Sequence, residues 1–276
     1  MIKFKILFCA FLILSLRAVA LESEPKGESL LADICDSNSK IINKNKPSEK
    51  ELWACSKCPS FTAFTGSKEN FEMEAAYFGS FSGSEKPEVI VSLRGCEPHA
   101  VGFGGVALMQ KIENKWKRIY YGGSESLARC IPYLTNEKKT ELLCLEGDMH
   151  GGTFVSWFSQ LSFSADGQLV DTQILKDIEF GGNTAGGTLR NGYCYELTPD
   201  TFSISKVNPL EIEIKGSGGK SKPKSSANND CEAKMKLNFS FKLNLEFNGS
   251  TFKTSSKNYR DLKSIEKFLK PLKVKN

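Results

Sequence analysis

Histidine is the scarcest side chain with chemistry to offer: the 276 residues hold only His99 and His150. They stand far apart, with no His-Glu-x-x-His spacing to bring two imidazoles to one helix face, which excludes a helix-borne zinc centre of that type. Hydrolase signatures are missing too. No Gly-x-Ser-x-Gly elbow occurs, and no Ser-x-x-Lys falls in a helical setting. After residue 20 no apolar run reaches the ~18 residues that a membrane helix needs. Arginine is almost absent from the C-terminal region, where residues 206–276 contain only Arg260. Lysine is a point charge without the fork that reads phosphate bidentately, so specific nucleic-acid recognition is excluded.

Two motifs fail on context. Gly102-Phe103-Gly104-Gly105 is rich enough in glycine to cradle a phosphate, but phosphate loops open helices. Here the glycines lead into Val106-Ala107-Leu108-Met109, an apolar strand-like run. Cys55-Ser56-Lys57-Cys58 lacks the βαβ setting of a redox motif, and Pro59 stands where haem attachment needs histidine.

The first residues carry Lys3 and Lys5, an apolar run over 6–16 and the small-x-small Ala18-Val19-Ala20. This reads as a secretory signal peptide over 1–20, with export to the periplasm or the extracellular space. Eight of the nine cysteines lie beyond it: Cys35, Cys55, Cys58, Cys96, Cys130, Cys144, Cys194 and Cys231. An even set on an exported chain argues for disulfides. Cys130 with Cys144 and Cys194 with Cys231 are the favoured pairs. Cys55 and Cys58 pair with each other or with Cys35 and Cys96.

Charge is divided along the chain. Residues 21–205 hold 18 basic and 25 acidic side chains, whereas residues 206–276 hold 16 basic and 7 acidic. Mutual attraction of an acidic body and a basic C-terminal region is one reading; a basic surface for an anionic partner is the other.

Short apolar runs separated by turn residues predict a mainly β fold, an antiparallel β-sandwich, barrel or small propeller with short N-terminal helices and one C-terminal helix. Residues 21–69 form a helical or irregular segment. A capping box at Ser48-Glu49-Lys50-Glu51 starts a helix running toward Cys55. Residues 70–215 form the β body, with separate strands at 192–197 and 202–207 among others, and with hairpin turns at 113–115, 136–138 and 165–167. Residues 216–230, Gly-, Ser- and Lys-rich, form a flexible basic loop carrying Lys220, Lys222 and Lys224. Strict alternation over 235–247 predicts a long half-buried strand, followed by an Asn248-Gly249 turn and a return strand. An amphipathic helix over 259–270, with Leu262, Ile265 and Leu269 on one stripe, closes the chain. Residues 231–276 thus form a hairpin plus helix expected to dock on the body.

Two functions fit. The preferred one is a non-enzymatic binding or envelope-associated protein that meets an anionic glycan or envelope surface through Lys220, Lys222 and Lys224. The alternative is a metal-dependent hydrolase or metal-stabilised domain. There Glu97, His99, Asp148 and His150, each beside a glycine-rich turn, would supply N and O ligands to a divalent metal.

Overall fold

The computed structural model describes residues 27–36, 39–43, 52–97, 103–123, 127, 129–150, 153–164, 166–174, 180–183, 194–207, 210–221, 239–247, 252–254, 263, 265 and 267. Within them the chain is mainly β, with a helix α1 (Gly27–Leu31) and two antiparallel sheets. The first sheet follows chain order: β1 (Ile41–Asn43), β2 (Trp53–Cys55), β3 (Phe71–Gly79), β4 (Glu88–Arg94), β5 (Phe103–Ile112) and β6 (Lys115–Gly122). The second holds β7 (Cys130–Leu134), β8 (Thr140–His150), β9 (Thr153–Phe163), β10 (Leu169–Ile174), β11 (Phe180–Asn183), β12 (Cys194–Val207), β13 (Leu210–Ser221), β14 (Phe239–Phe247) and β15 (Phe252–Thr254). Its spatial order is β15-β14-β13-β12-β11-β9-β8-β7. β9 has two partners on one edge: β11 takes its first residues, Thr153 to Ser156, and β10 takes Phe158 to Phe163.

The expected turn chemistry closes the hairpins. Between β5 and β6, Glu113 and Asn114 both adopt positive φ, 49° and 64°, as a two-residue turn matched to strand twist requires. Lys138 and Gly167 do the same at the other two predicted turns, with φ of 60° and 80°.

Side-chain alternation then builds three apolar layers. In β4 and β5, Val89, Val91, Leu93, Ala107 and Met109 face α1 and its following loop, meeting Leu30, Leu31 and Ile34. The alternate residues Ile90, Val106 and Leu108 face the second sheet and meet Leu142, Leu161 and Phe163. On the far side of the second sheet, Leu143, Phe158, Tyr195, Leu197, Ile212, Ile214 and Leu243 form a third cluster. Here the sheet curls into a half-barrel: the Arg129 guanidinium, just before β7, donates to the Asp200 carbonyl of β12 at 3.4 Å and lies 5.7 Å from the Phe202 ring centre. Ile265, 0% exposed, belongs to the same cluster, while Lys263 and Lys267 beside it are exposed; all three have helical backbone.

Several expectations are corrected. Trp53–Cys55 is a strand, not the end of a helix, because it pairs with β1 and with β3 (Cys55 opposite Phe71) and is tied down by a Cys35–Cys55 disulfide. The capping-box residues 48–51 lie outside the described residues. Within 21–69, β1 and β2 extend the first sheet. Residues 192–197 and 202–207 contribute to one strand, β12, which absorbs Pro199 through irregular pairing between Pro199 and Thr201 and again between Ile204 and Lys206. Residues 216–221 are not loop but the end of β13. Gly216 pairs with Pro199 and Phe241, and Gly218 with Leu197 and Phe239, so small residues run between larger ones on both neighbouring strands.

If Ile265 holds the C-terminal residues to the half-barrel, Ile265→Ala should destabilise the protein by about 2–5 kcal/mol in urea unfolding. Lys267→Ala should change it by less than about 0.5 kcal/mol. A loss below that smaller figure for Ile265→Ala would show that the contact contributes nothing to the fold.

Candidate functional site

The corner after β4 carries most of the singled-out residues. Gly95 has φ of 91°, and a Cβ there would lie 2.4 Å from the Asn70 carbonyl oxygen. Cys96 follows at φ 63°, a conformation unfavourable for a side chain with a Cβ. A disulfide to Cys58 holds it there, with both cysteines buried. The Glu69 carboxylate lies near both sulfurs, within 4.8 Å. Those sulfurs are bonded to each other, which leaves this group a single carboxylate ligand and no thiolate.

Disulfide pairing resolves as follows. Cys130 and Cys144 are bonded and directly opposite in β7 and β8, as favoured. Cys55 and Cys58 take the second of their alternatives, pairing with Cys35 and Cys96. Cys194 is disulfide-bonded, and Cys231 lies outside the described residues.

Glu97 is 6% exposed, just past β4. Asp148 and His150 occupy alternate positions at the end of β8, opposite Val155 and Thr153. His99 lies outside the described residues. Ser80, just past β3, meets Thr140 at the start of β8: Thr140 N–H donates to the Ser80 carbonyl at 2.7 Å, and Ser80 N–H to the Thr140 hydroxyl at 2.9 Å. β4, which leads to Glu97, and β8, which carries Asp148 and His150, belong to different sheets. Lys220 pairs with Tyr195 in β13; Lys222 and Lys224 lie outside the described residues.

Two acids, the buried Glu88 and the half-buried Glu141, serve the fold. Glu88, 2% exposed, accepts from Phe81 N–H at 2.7 Å, Ser82 N–H at 2.8 Å, Gln110 Nε2 at 3.0 Å and the Ser82 hydroxyl. Glu141 accepts from the Tyr133 hydroxyl at 2.6 Å and Gln160 Nε2 at 2.5 Å. Burial, reinforced by Glu141, pushes the Tyr133 phenol far above its ordinary value, so Tyr133 stays protonated and is no base.

A cluster that sequence reasoning missed sits on the edge strand β6. The Arg118 guanidinium lies 3.5 Å from the centre of the Phe61 ring, close enough for a strong cation–π contact. Phe61 in turn meets Tyr121 edge-on, with ring centres 4.7 Å apart, and the Tyr121 hydroxyl donates to the Gly104 carbonyl at 2.5 Å. Asp33, from the turn after α1, accepts from Lys117 Nζ at 2.9 Å and from the Arg118 backbone N–H at 2.8 Å. Asp33 thus closes an edge N–H that would otherwise invite strand pairing. Arg118 Nη1 is shielded from solvent and has no hydrogen-bond partner, a deficit worth about 1–3 kcal/mol. No local spacing announces this cluster, because Phe61, Asp33 and Arg118 come from three separate stretches.

On the outer face of the second sheet, Lys215 and Lys242 stand directly opposite in β13 and β14. Glu213 bridges them, pairing with Lys215 at 2.8 Å and with Lys242. Hydrogen bonds from both lysines hold its carboxyl below the ordinary range. Lys206 pairs with Glu211 at 3.6 Å.

No protein-family model, curated protein or solved structure matches the chain. Its function must therefore be argued from its own side chains.

Burial pushes the Asp33 carboxyl up, but the hydrogen bonds and charges of Lys117 and Arg118 outweigh it and hold the pKa below the usual 3.8. A depressed folded pKa adds stability that is present above 3.8 and lost as pH falls through the folded value. Asp33→Asn should therefore lower the unfolding midpoint at neutral pH, and the gap to wild type should close as pH drops below 3.8. A gap that stays constant across that range would mean the carboxylate charge is not what stabilises.

Proposed function

We propose that the protein is exported and works as a non-enzymatic binding protein, docking its basic C-terminal region on clustered oxyanions such as those of an acidic glycan or an envelope headgroup surface. One observation carries this reading. Three ion pairs lie within the region, Lys206 with Glu211, and Lys215 and Lys242 with Glu213. With 16 basic and 7 acidic side chains over 206–276, internal pairing leaves a positive excess. The buried Ile265 between exposed Lys263 and Lys267 supports an anchored surface instead of a loose tail. Export is supported by the disulfides, which persist in oxidising compartments. Among the described residues no helix is long and apolar enough to cross a membrane.

A second reading, a divalent-metal site formed by Glu97, His99, Asp148 and His150, is supported by their residue types, which supply N and O ligands. Metal analysis of the purified protein tests it. One equivalent of bound metal, lost in His99→Ala/His150→Ala, is the expected result; metal-free wild type removes this reading.

For the preferred function, wild type should bind immobilised heparin and vesicles containing anionic lipid, and release as salt rises, since screening weakens exposed charge contacts. Lys220→Ala/Lys222→Ala/Lys224→Ala should release at lower salt from whichever probe is the better mimic. Identical release profiles would remove the lysine-rich segment from the docking surface.

A further inference from the structure

We infer that the free edge of β10 is a self-association surface, on which a second copy of this chain lays its own β10 antiparallel to the first. Among the described residues β10 pairs only with β9, in unbroken register from Leu169 to Ile174. The strands that end the two sheets are blunted against such contacts. β1 and β15 are three residues long, and Pro132 removes a donor from β7. β6 carries Lys115, Lys117 and Arg118, and Asp33 accepts from its Arg118 N–H. β10 has none of these devices. Its six residues, LVDTQI, include no Lys, Arg or Pro and form no bulge. They are also open to solvent: Asp171 and Thr172 are exposed, and Val170 is 40% exposed.

The turn between β9 and β10 tells which backbone groups face outward. Ser164 N–H donates to the Gln168 carbonyl at 2.9 Å, which makes Ser164 and Gln168 a hydrogen-bonded pair. Alternation from that pair commits the N–H and C=O groups of Val170, Thr172 and Ile174 to β9. Those of Leu169, Asp171 and Gln173 point along the free edge.

Symmetry then narrows the register. Opposite side chains in an antiparallel pair share a face, so a two-fold axis sets odd-numbered residues opposite odd and even opposite even. Two such registers overlap over all but one residue of β10. One sets Asp171 opposite Asp171 of the copy, and like charges directly opposite repel. The other sets Thr172 opposite itself, Asp171 opposite Gln173 and Val170 opposite Ile174. In this register the outward groups of Asp171 and Gln173 exchange both hydrogen bonds, a carboxylate faces an amide, and apolar faces apolar. Charge and backbone geometry therefore select the register centred on Thr172. A single strand pair buries less than a standard interface, so the dimer is weak and concentration-dependent. The surface is separate from the lysine-rich region, yet pairing brings two such regions into one particle.

The test is sedimentation velocity of the purified protein from ~10 μM to ~1 mM, where a small interface becomes populated. The sedimentation coefficient should rise with concentration toward that of a dimer. Asp171→Pro removes an N–H that β9 does not use; it should keep the wild-type circular dichroism and abolish the rise. Crosslinking checks the register without relying on that variant. In the Thr172-centred register the two Thr172 Cα atoms lie about 4.5 Å apart, within disulfide reach. Thr172→Cys should therefore form a covalent dimer in oxidised glutathione at least about tenfold faster than Asp171→Cys, whose partner is Gln173. Equal or faster crosslinking of Asp171→Cys overturns the register, and a folded Asp171→Pro that dimerises like wild type overturns the surface. A wild type that stays monomeric throughout, with no Thr172→Cys dimer, overturns self-association and leaves the edge to a strand from a different protein.

Discussion

In β4, Val89, Val91 and Leu93 face the disulfide-bonded N-terminal segment, while Ile90 and Ser92 are buried on the opposite side. Neither face of the strand is left to water, and the layered order of the molecule depends on that. A strand dry on both sides needs a cover on each, and the chain supplies two different ones: α1 with its loop on one face, the second sheet on the other. β8 repeats the arrangement one layer further on, with Leu142 and Cys144 toward the first sheet and Leu143 in the half-barrel cluster. Each apolar side chain so buried contributes about 1.5–3 kcal/mol, and a slip of one residue in either strand would exchange its two faces.

Covalent bonds reinforce the outer cover of the first sheet. Residues 27–36 and 52–71 bring Leu30, Leu31, Ile34, Trp53, Phe61 and Phe71 to shield Val89, Val91, Leu93 and Met109. Cys35–Cys55 and Cys58–Cys96, closing separations of 20 and 38 residues, each restrict the unfolded chain by about 3–4 kcal/mol on the chain-entropy account. The second of them also fixes Cys96 in its left-handed conformation, so the corner leading to Glu97 is held by the same bond that holds the cover.

The sequence made the β body legible wherever one periodicity spoke alone. Alternation over 235–247 announced β14, and the turn residues at 113–115 announced the β5–β6 hairpin. It misled where local chemistry competed with long-range pairing. The capping box suggested a helix running into Trp53 and Cys55, but a cysteine bonded to Cys35 and a strand opposite Phe71 decide that backbone. Glycine and serine at 216–219 looked like linker because strand propensity is judged by side chains, whereas here the neighbours on both sides supply the bulk. β4 could be read as a strand, but a run of apolar residues does not tell which of its faces meets which partner. The Arg118 cluster was illegible for a related reason: a cation–π contact between distant stretches has no spacing rule.

The distribution of polar groups indicates where recognition is left to occur. Inside the molecule, Glu88 and Glu141 are surrounded by donors, and Tyr133 is locked to Glu141. A buried polar group satisfied in this way rigidifies its surroundings but has nothing to offer a ligand. On the surface the same test separates two kinds of cation. Lys117, Lys206 and Lys215 each hold a carboxylate of their own neighbourhood, and exposed pairs of that kind are worth little to stability. Arg118 and Arg129 lie instead over aromatic rings, Phe61 and Phe202. A guanidinium stacked on a ring is held by packing as much as by charge, so the surface cations differ in what fixes them and not only in where they stand.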